Sequence, residues 1–322
     1  MQRIKVAVLR GGPSSEYEVS LKTGRNVLDN LSDKYIPIDV FISKDGNWHI
    51  DGAPVTPYKI FENADVVFNA MHGEYGEDGK VQQLMDKFGV KYTGSKALAS
   101  AIGMNKVMAK EIFRKSGLKT PVFKIIQKGA ELNEESLKLF KTFPMPAIIK
   151  PNGSGSSLGV SIVGKLDEIK PALEKAFEHS DVIIAEEFII GREASCGVIE
   201  NFRDQEFYSL LPTEIKTDEK YEFYSYEAKN SGESKQICPG NFSPKETETI
   251  KNMAAEAHRL LGLRHYSRAD FIVSPKRGVY ILEVNTLPGL TKESIFIKEL
   301  EAVGCSFPYF LDHVLTLALE KN

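Results

Sequence analysis

Ser267-Arg268-Ala269-Asp270-Phe271-Ile272-Val273 and Val279-Tyr280-Ile281-Leu282-Glu283-Val284-Asn285 flank Pro275-Lys276-Arg277-Gly278. Two runs rich in β-branched and aromatic residues around a Pro/Gly turn signal predict a β-hairpin. Alternate residues of a strand share a face, so Arg268 goes with Asp270, and Glu283 with Asn285. A symmetric four-residue turn sets Asp270 against Glu283 and Arg268 against Asn285. Opposed carboxylates destabilise a sheet, so a cation between them is expected. Two carboxylates and an amide oxygen are hard ligands that suit Mg²⁺ held with waters and phosphate oxygens. Ala269, Phe271, Leu282 and Val284 make the other face apolar. A solvent-facing sheet surface with scattered charges has the same pattern, and the hairpin alone does not choose between the two.

A second signal is the loop Lys150-Pro151-Asn152-Gly153-Ser154-Gly155-Ser156-Ser157-Leu158-Gly159-Val160, with apolar strands on both sides. Small residues expose backbone N–H groups and hydroxyls that can wrap a phosphate. The loop is neither a Walker sequence nor a dinucleotide fingerprint, since the spacing differs and a strand follows it. A flexible hairpin turn is the plainer reading. Lys150, ending its strand, is placed to offer a fixed cation to a phosphate. The stretch Ile183-Ile184-Ala185-Glu186-Glu187-Phe188-Ile189-Ile190-Gly191-Arg192-Glu193 suits an adenine pocket, although an edge strand reads the same way.

Around these segments, residues 4–9 read as a buried strand, followed by a Gly-Gly turn and a helix over about 18–31. Residues 65–71 read as a second strand, then a loop over 72–79 and a helix over about 80–88. Strands alternating with helices imply a parallel sheet with ligands at the loops after the strands. The first domain is expected to span 1–96. A central subdomain over 97–181 opens with a helical stretch, 97–117, that carries Lys106 and Lys110. Its strands fall at 122–127, 147–150 and 160–163, with a helix at about 167–178. The last subdomain, 182–322, has strands at 182–188, 194–199, 267–274 and 278–284, a helix at about 244–262 and another from about Pro308. Residues 212–243 are polar, and a loop that long inside a compact domain is a lid or is disordered.

The 322 residues suffice for two or three domains, and 42% hydrophobic with 26% charged is ordinary for a globular protein. A net charge of −3 excludes a polyanion-binding surface as the leading function. The cysteines Cys196, Cys238 and Cys305 form no CxxC pair, which favours a reducing compartment over a zinc or disulfide framework. No stretch is long and apolar enough for a signal peptide or a span, so a cytoplasmic location with no membrane partner is expected.

Taken in order, the motifs resemble the ATP-grasp superfamily. Within it, nearly the full chain is similar to the D-alanine–D-alanine ligase family. The resemblance rests on the run from Gly11 to Ser20, on His72-Gly73-Glu74-Tyr75-Gly76-Glu77-Asp78-Gly79 and on the glycine-serine loop. It continues through Tyr226-Glu227-Ala228-Lys229, Arg268-Ala269-Asp270 and the run from Glu283 to Thr291. It implies an α/β fold: an N-terminal Rossmann-like parallel domain, then two α+β subdomains that clasp ATP between them. Asp270, Glu283 and Asn285 match the ligands of two Mg²⁺ (or Mn²⁺) ions on the ATP phosphates. Lys106 and Lys150 match phosphate-binding lysines, Ser157 falls in the same phosphate loop, and Glu186, Phe188, Ile189 and Glu193 match purine and ribose contacts. Glu16 matches the carboxylate that receives the first D-alanine's ammonium, with Ser156 as its partner and His72 lining the same pocket. Ser294 and Ile295 fall in the second pocket. Arg268 and the Gly289 N–H match the holders of an oxyanion, and Lys229 closes over the γ-phosphate with the lid. The plainer readings are Glu16 favouring a helix dipole, His72 a satisfied loop histidine and Ser294 a helix cap. The resemblance also implies a homodimer, with D-alanine rather than nucleic acid as partner.

The chain departs from the family pattern at several positions. Asn230 stands where the family has a tyrosine after the lid lysine, and Ser225 replaces an aspartate four residues before it. Asn230 leaves the acceptor open between D-alanine, D-serine and D-lactate, while the modest size of Ile295 favours a methyl side chain. Tyr224 or Tyr226 is a candidate source of the missing hydroxyl. Glu187 replaces the usual lysine of the purine strand, and Asn105 an aspartate. The readings to weigh are therefore the D-alanine ligase, a sister ligase, and a nucleotide-binding module without turnover. A Rossmann oxidoreductase is disfavoured because the fingerprint is absent.

Overall fold

The first apolar run forms β1 (Ile4–Gly11), in which Val6, Ala7, Val8 and Leu9 are all fully buried. A continuous apolar run marks a parallel strand covered on both faces, and that is its setting. The computed structural model describes residues 3–153, 158–216 and 235–320. β1 lies parallel to β2 (Tyr35–Ile42) and β5 (Val66–Asn69), while β3 (Trp48–Ile50) and β4 (Ala53–Pro54) extend the sheet antiparallel, giving the order β4-β3-β2-β1-β5. Ala7 and Leu9 pack with Phe61, Val81 and Met85 toward α2 (Pro57–Asn63) and α3 (Lys80–Lys87). Val6 and Val8 face the opposite side, where α1 (Tyr17–Asn30) contributes Val27.

The helical stretch expected over 97–117 is made of two helices, α4 (Ala97–Met104) and α5 (Lys106–Lys115). The break falls at Asn105, whose side chain accepts a hydrogen bond from the Met108 N–H at 3.0 Å and so caps α5. An amide oxygen does this as well as a carboxylate, so the departure at Asn105 is met locally. The second sheet, β6-β9-β7-β8, is antiparallel and is built from β6 (Phe123–Gln127), β7 (Ala147–Pro151), β8 (Ser161–Val163) and β9 (Val182–Glu187). Helices α6 (Leu132–Thr142) and α7 (Leu166–Phe177) cover one face, meeting Ala147, Ile149, Ile183 and Ala185. Period-2 alternation leaves Ile148, Lys150 and Glu186 on the other face.

The third sheet runs β13-β12-β10-β14-β15, with β11 also on β10. Its strands are β10 (Arg192–Phe202), β11 (Gln205–Ser209), β12 (Thr213–Lys216), β13 (Lys235–Ile237), β14 (Tyr266–Ser274) and β15 (Gly278–Asn285). Helix α8 (Pro244–Leu260) packs on the face made by Ala194, Cys196, Val198, Ala269, Phe271 and Val273, and Ala109 and Phe113 of α5 join the same core. Helices α9 (Ile295–Ala302) and α10 (Phe307–Glu320) bury Phe296, Phe310 and Val314 in the core that also holds Val6, Val8 and Phe68 of the first sheet. No single helix among the described residues is long and apolar enough to cross a membrane.

In the β14–β15 hairpin Asp270 does face Glu283, and Arg268 faces Asn285, but by a different route from the symmetric turn. The turn holds three residues, Pro275 to Arg277, because Ser274 pairs with Gly278. One extra residue then enters β15 at a bulge: Phe271 pairs with Ile281 and Asp270 with Glu283, leaving Leu282 unpaired. The short turn and the bulge cancel at the carboxylates. The bulge also re-phases the strand. Ile281 and Val284 both enter the core, whereas Leu282 and Glu283 both line the cleft. Leu282 is therefore not on the apolar face where alternation placed it.

Gly197, the register partner of Arg268, lies where the edge of β10 changes from β12 to β11. A Cβ there would stand 2.7 Å from Leu210 Cδ1 and Phe296 Cε2, and 2.8 Å from Glu299 Oε2. We expect Gly197→Ala to cost about 1–3 kcal/mol by overpacking, read as a melting temperature lowered by a few degrees. Equal melting temperatures for the two proteins would show that Leu210 and Phe296 give way freely.

Candidate active site

A cleft of about 900 Å³ opens between the second and third sheets. Lys150 and Glu186 line it from one side, and Glu193, Arg268, Asp270 and Glu283 from the other, with Lys106 at the start of α5. At its centre the Arg268 guanidinium grips Asp270 in a fork, Nε to Oδ1 and Nη2 to Oδ2, both 2.9 Å. Asn285 Nδ2 donates to Asp270 Oδ2 at 2.9 Å, and the Ser195 hydroxyl donates to Oδ1. Lys106 Nζ lies 3.1 Å from Glu283 Oε2. The cationic partners that the opposed carboxylates required are thus Arg268 and Lys106. Burial acts to lower the Arg268 pKa, but Asp270 outweighs it and keeps the group above its ordinary value.

On the second sheet, Glu186 is 1% exposed and its Oε2 lies 2.9 Å from both Lys150 Nζ and Lys110 Nζ. Burial acts to raise the Glu186 pKa, yet the two ammonium groups hold it below the ordinary carboxylate value. Phe188 and Ile189 follow on the cleft wall, and the Phe188 N–H is taken by Pro146 O at 3.2 Å. Glu187 lies on the same wall and accepts from Arg277 Nη1 at 2.5 Å. Asn152 links the glycine-serine loop to α5, its Oδ1 accepting from the Val107 N–H at 2.9 Å.

The N-terminal candidates gather where the first sheet meets the loop after β15. His72 is buried: its Nδ1 lies 2.9 Å from Leu287 O and its Nε2 2.8 Å from Thr23 Oγ1. A carbonyl only accepts, so Nδ1 carries the proton and the threonine hydroxyl donates to Nε2. Burial lowers the His72 pKa below its usual value, which favours this neutral form. The geometry is that of a satisfied histidine tying two loops together. Glu77 ties the same loops: its Oε2 accepts from the Gly73 N–H at 2.8 Å and its Oε1 from the Leu287 N–H at 2.9 Å. Burial, then the nearby Glu16, push the Glu77 pKa up to about 7. Glu16 stands at the start of α1 without capping it. Ser294 opens α9, but its Oγ turns back to the Thr291 N–H at 3.0 Å instead of capping that helix. It lies beside Gly289, where an added Cβ would be 3.1 Å away, and Ser294 and Ile295 both line the cleft.

Ser156, Ser157, Lys229 and Asn230 lie outside the described residues. Among the rest, the cleft brings together the purine-strand residues, Lys106, Lys150, the hairpin carboxylates, Arg268, Ser294 and Ile295, whereas Glu16 and His72 do not line it. Sequence reasoning gave no role to Lys110, Glu77, Ser195 or Glu299. A signal existed for two of them: Lys110 sits one helical turn after Lys106, and Glu77 lies inside a quoted motif. Ser195 and Glu299 had none, being brought in by sheet register and helix packing.

A four-stranded and a larger antiparallel sheet closing on a cleft of opposed carboxylates and lysines is the arrangement of an ATP-grasp enzyme. Family profiles described as "D-ala D-ala ligase C-terminus" and "D-ala D-ala ligase N-terminus" match residues 112–316 and residues 5–60 and 53–95. A D-alanine–D-alanine ligase of Geobacter sulfurreducens is 36% identical over 323 residues, covering 99% of this chain and 95% of that protein. The solved VanG D-Ala:D-Ser ligase from Enterococcus faecalis superposes with a TM-score of 0.86 at 28% identity, over 98% of this chain and 100% of the other. The D-alanine–D-alanine ligase from Bacillus anthracis complexed with ATP gives 0.80, also at 28% identity, over 98% of each chain. The chain belongs to the D-alanine–D-alanine ligase family.

Behind Arg268, the fully buried Glu299 of α9 accepts the Gly197 N–H on Oε2 at 2.9 Å. Burial pushes its pKa up to about 8, although Arg268 pulls the other way. Between the ordinary carboxylate value and about 8 the folded protein holds a proton that the unfolded chain has released, so this group's contribution to stability falls as pH rises. Glu299→Gln keeps an acceptor for Gly197 and removes the charge. The variant should therefore gain stability relative to the parent between pH 6 and pH 9, by on the order of a few kcal/mol at most. A melting-temperature difference that stays constant across that range would refute the assignment.

Proposed function

We propose that this protein joins two D-alanines to D-alanyl-D-alanine at the expense of ATP, through a D-alanyl phosphate, and so supplies a peptidoglycan precursor. The observation that carries the reading is the cleft itself, where Asp270 and Glu283 meet Lys106, Lys150 and Arg268 in a chain similar over its full length to D-alanine–D-alanine ligases. A carboxylate is a poor electrophile, and phosphorylation by ATP turns it into an acyl phosphate that an amine attacks. Lys106 and Lys150 suit the ATP phosphates, and Glu186, Phe188, Ile189 and Glu193 line the wall suited to purine and ribose. Arg268 and the Gly289 N–H are assigned to the tetrahedral oxyanion, a donor being worth about 3–4 kcal/mol in such sites. Glu16, near Glu77, offers negative charge for the first substrate's ammonium. The roles of Ser156, Ser157 and Lys229 rest on the family resemblance.

Asp270, Glu283 and the Asn285 amide are an all-oxygen donor set of the kind Mg²⁺ accepts, and the register that opposes the two carboxylates fits a divalent cation. Such ions, when bound, neutralise charge on the transferring phosphoryl group and on the leaving diphosphate. Relatives named D-alanine–D-alanine ligase match the full chain, so D-alanine is favoured as acceptor over D-serine or D-lactate. A cytoplasmic homodimer that needs neither nucleic acid nor membrane, with domains at 1–96, 97–181 and 182–322, completes the proposal.

Phosphate release measured with ATP, Mg²⁺ and D-alanine should be robust, and adding D-serine or D-lactate should not raise it. No release with any of these substrates would sink the ligase reading, and stimulation by D-serine or D-lactate would move the acceptor to the sister ligases. Glu283→Gln should keep the parent melting profile and lose roughly a hundredfold or more in turnover, as when a group stabilising transition-state charge is removed. Unchanged turnover would remove Glu283 from the metal site.

A further inference from the structure

Lys110 has no part in the roles assigned above, yet it is 1% exposed, and a buried ammonium is costly unless it is paired and hydrogen-bonded. It is both: Nζ stands 2.9 Å from Glu186 Oε2 and donates to Thr120 Oγ1 at 3.0 Å. Lys150 Nζ reaches the same carboxylate oxygen at 2.9 Å. One carboxylate thus serves two ammonium groups, and the trio carries an excess positive charge. Lys150 lines the cleft, whereas Lys110 lies behind it. Glu187, on the cleft wall, is paired with Arg277, and Glu283 also acts on Lys110.

We propose that Lys110 is a positioning residue for the nucleotide: it keeps Glu186 ionised and in place when Lys150 leaves that carboxylate for a phosphate, and so sustains a preference for ATP over GTP. The proposal rests on the reading that a nucleotide occupies this cleft with its base beside Glu186. With Lys110 present, Glu186 does not depend on Lys150, and an arriving phosphate can take Lys150 without stranding a buried negative charge. A carboxylate accepts from the 6-amino group of adenine and repels the 6-oxo group of guanine. Burial lowers the Lys110 pKa to about 8 against the pull of Glu186, so the ammonium is still charged at neutral pH. Without Lys110, Glu186 left by Lys150 would be a lone buried carboxylate and would take up a proton as pH falls.

Calorimetric titration with ATP and Mg²⁺, then with GTP and Mg²⁺, tests this in the absence of amino acid. The proteins compared are the parent, Lys110→Met, Glu186→Gln and the double variant, each at pH 6.5 and pH 8.5. Lys110→Met should weaken ATP binding about tenfold at pH 6.5, the equivalent of one pKa unit. Its ATP affinity should fall from pH 6.5 to pH 8.5, because the stranded Glu186 takes up a proton on binding, and its margin over GTP should narrow. The double variant, which has no stranded charge, should bind ATP no worse than Glu186→Gln alone and without pH dependence, since coupled residues do not add. Parent-like ATP binding by Lys110→Met at both pH values, or penalties that simply add in the double variant, would overturn the proposal. If melting curves show that Lys110→Met does not fold, the comparison of the double variant with Glu186→Gln reads the same coupling. A parent protein that binds no ATP would instead overturn the reading of the cleft itself.

Discussion

Two carboxylates facing each other across adjacent strands are the constraint around which this protein is arranged. Asp270 and Glu283 repel, and each is answered by a cation from elsewhere: Arg268 from the same strand, and Lys106 from the start of α5. Asn285 and Ser195 complete the polar shell of Asp270. The opposition exists only because Leu282 bulges from β15, which turns Glu283 to the cleft and sets Asn285 against Asp270 while Ile281 and Val284 keep the core. A local irregularity in one strand thus sets the phase of the chemistry.

Helix α5 serves both walls of the cleft. Its apolar side buries Ala109 and Phe113 under the third sheet, and its lysines, one turn apart, reach different carboxylates, Glu283 and Glu186. The start of the helix is fixed twice, by Asn105 and by Asn152 of the glycine-serine loop. The first sheet is bound in by another route. His72 and Glu77 fasten the loop after β5 to the backbone at Leu287, two residues beyond Asn285, while α10 packs under β1 and β5. Buried polar groups that are fully paired specify one arrangement of neighbouring elements, and these are the ties that hold the N-terminal sheet to the C-terminal loop.

Much of this was legible in the residues. Continuous apolar runs marked β1 and β9, and alternation with a Pro/Gly turn marked the hairpin. Its carboxylate pairing came out correctly from a symmetric turn, although the true turn is one residue shorter and the bulge restores the difference. The strands over Tyr35–Ile42 and Thr213–Lys216 and the helix Leu132–Thr142 gave weaker signals, being short or mixing polar with apolar residues, and went unassigned. The candidate site was read mainly through residue types that carry chemistry in an ordered series of motifs. Residues that act through a neighbour, such as Lys110, Glu77 and Glu299, were not.

By itself the sequence determined the order of the elements, the opposed carboxylates, the lysines and the family to which the motifs belong. Those properties depend on residue identity and on periods of two or 3.6, which act within a segment. Only the tertiary structure decided that Lys106 and Lys110 part company to serve two sheets, that Glu186 stands between two ammonium groups, and that His72 ties Thr23 to Leu287. Each of these joins residues far apart in the chain, and which charge meets which is set by helix packing, strand register and a single bulge.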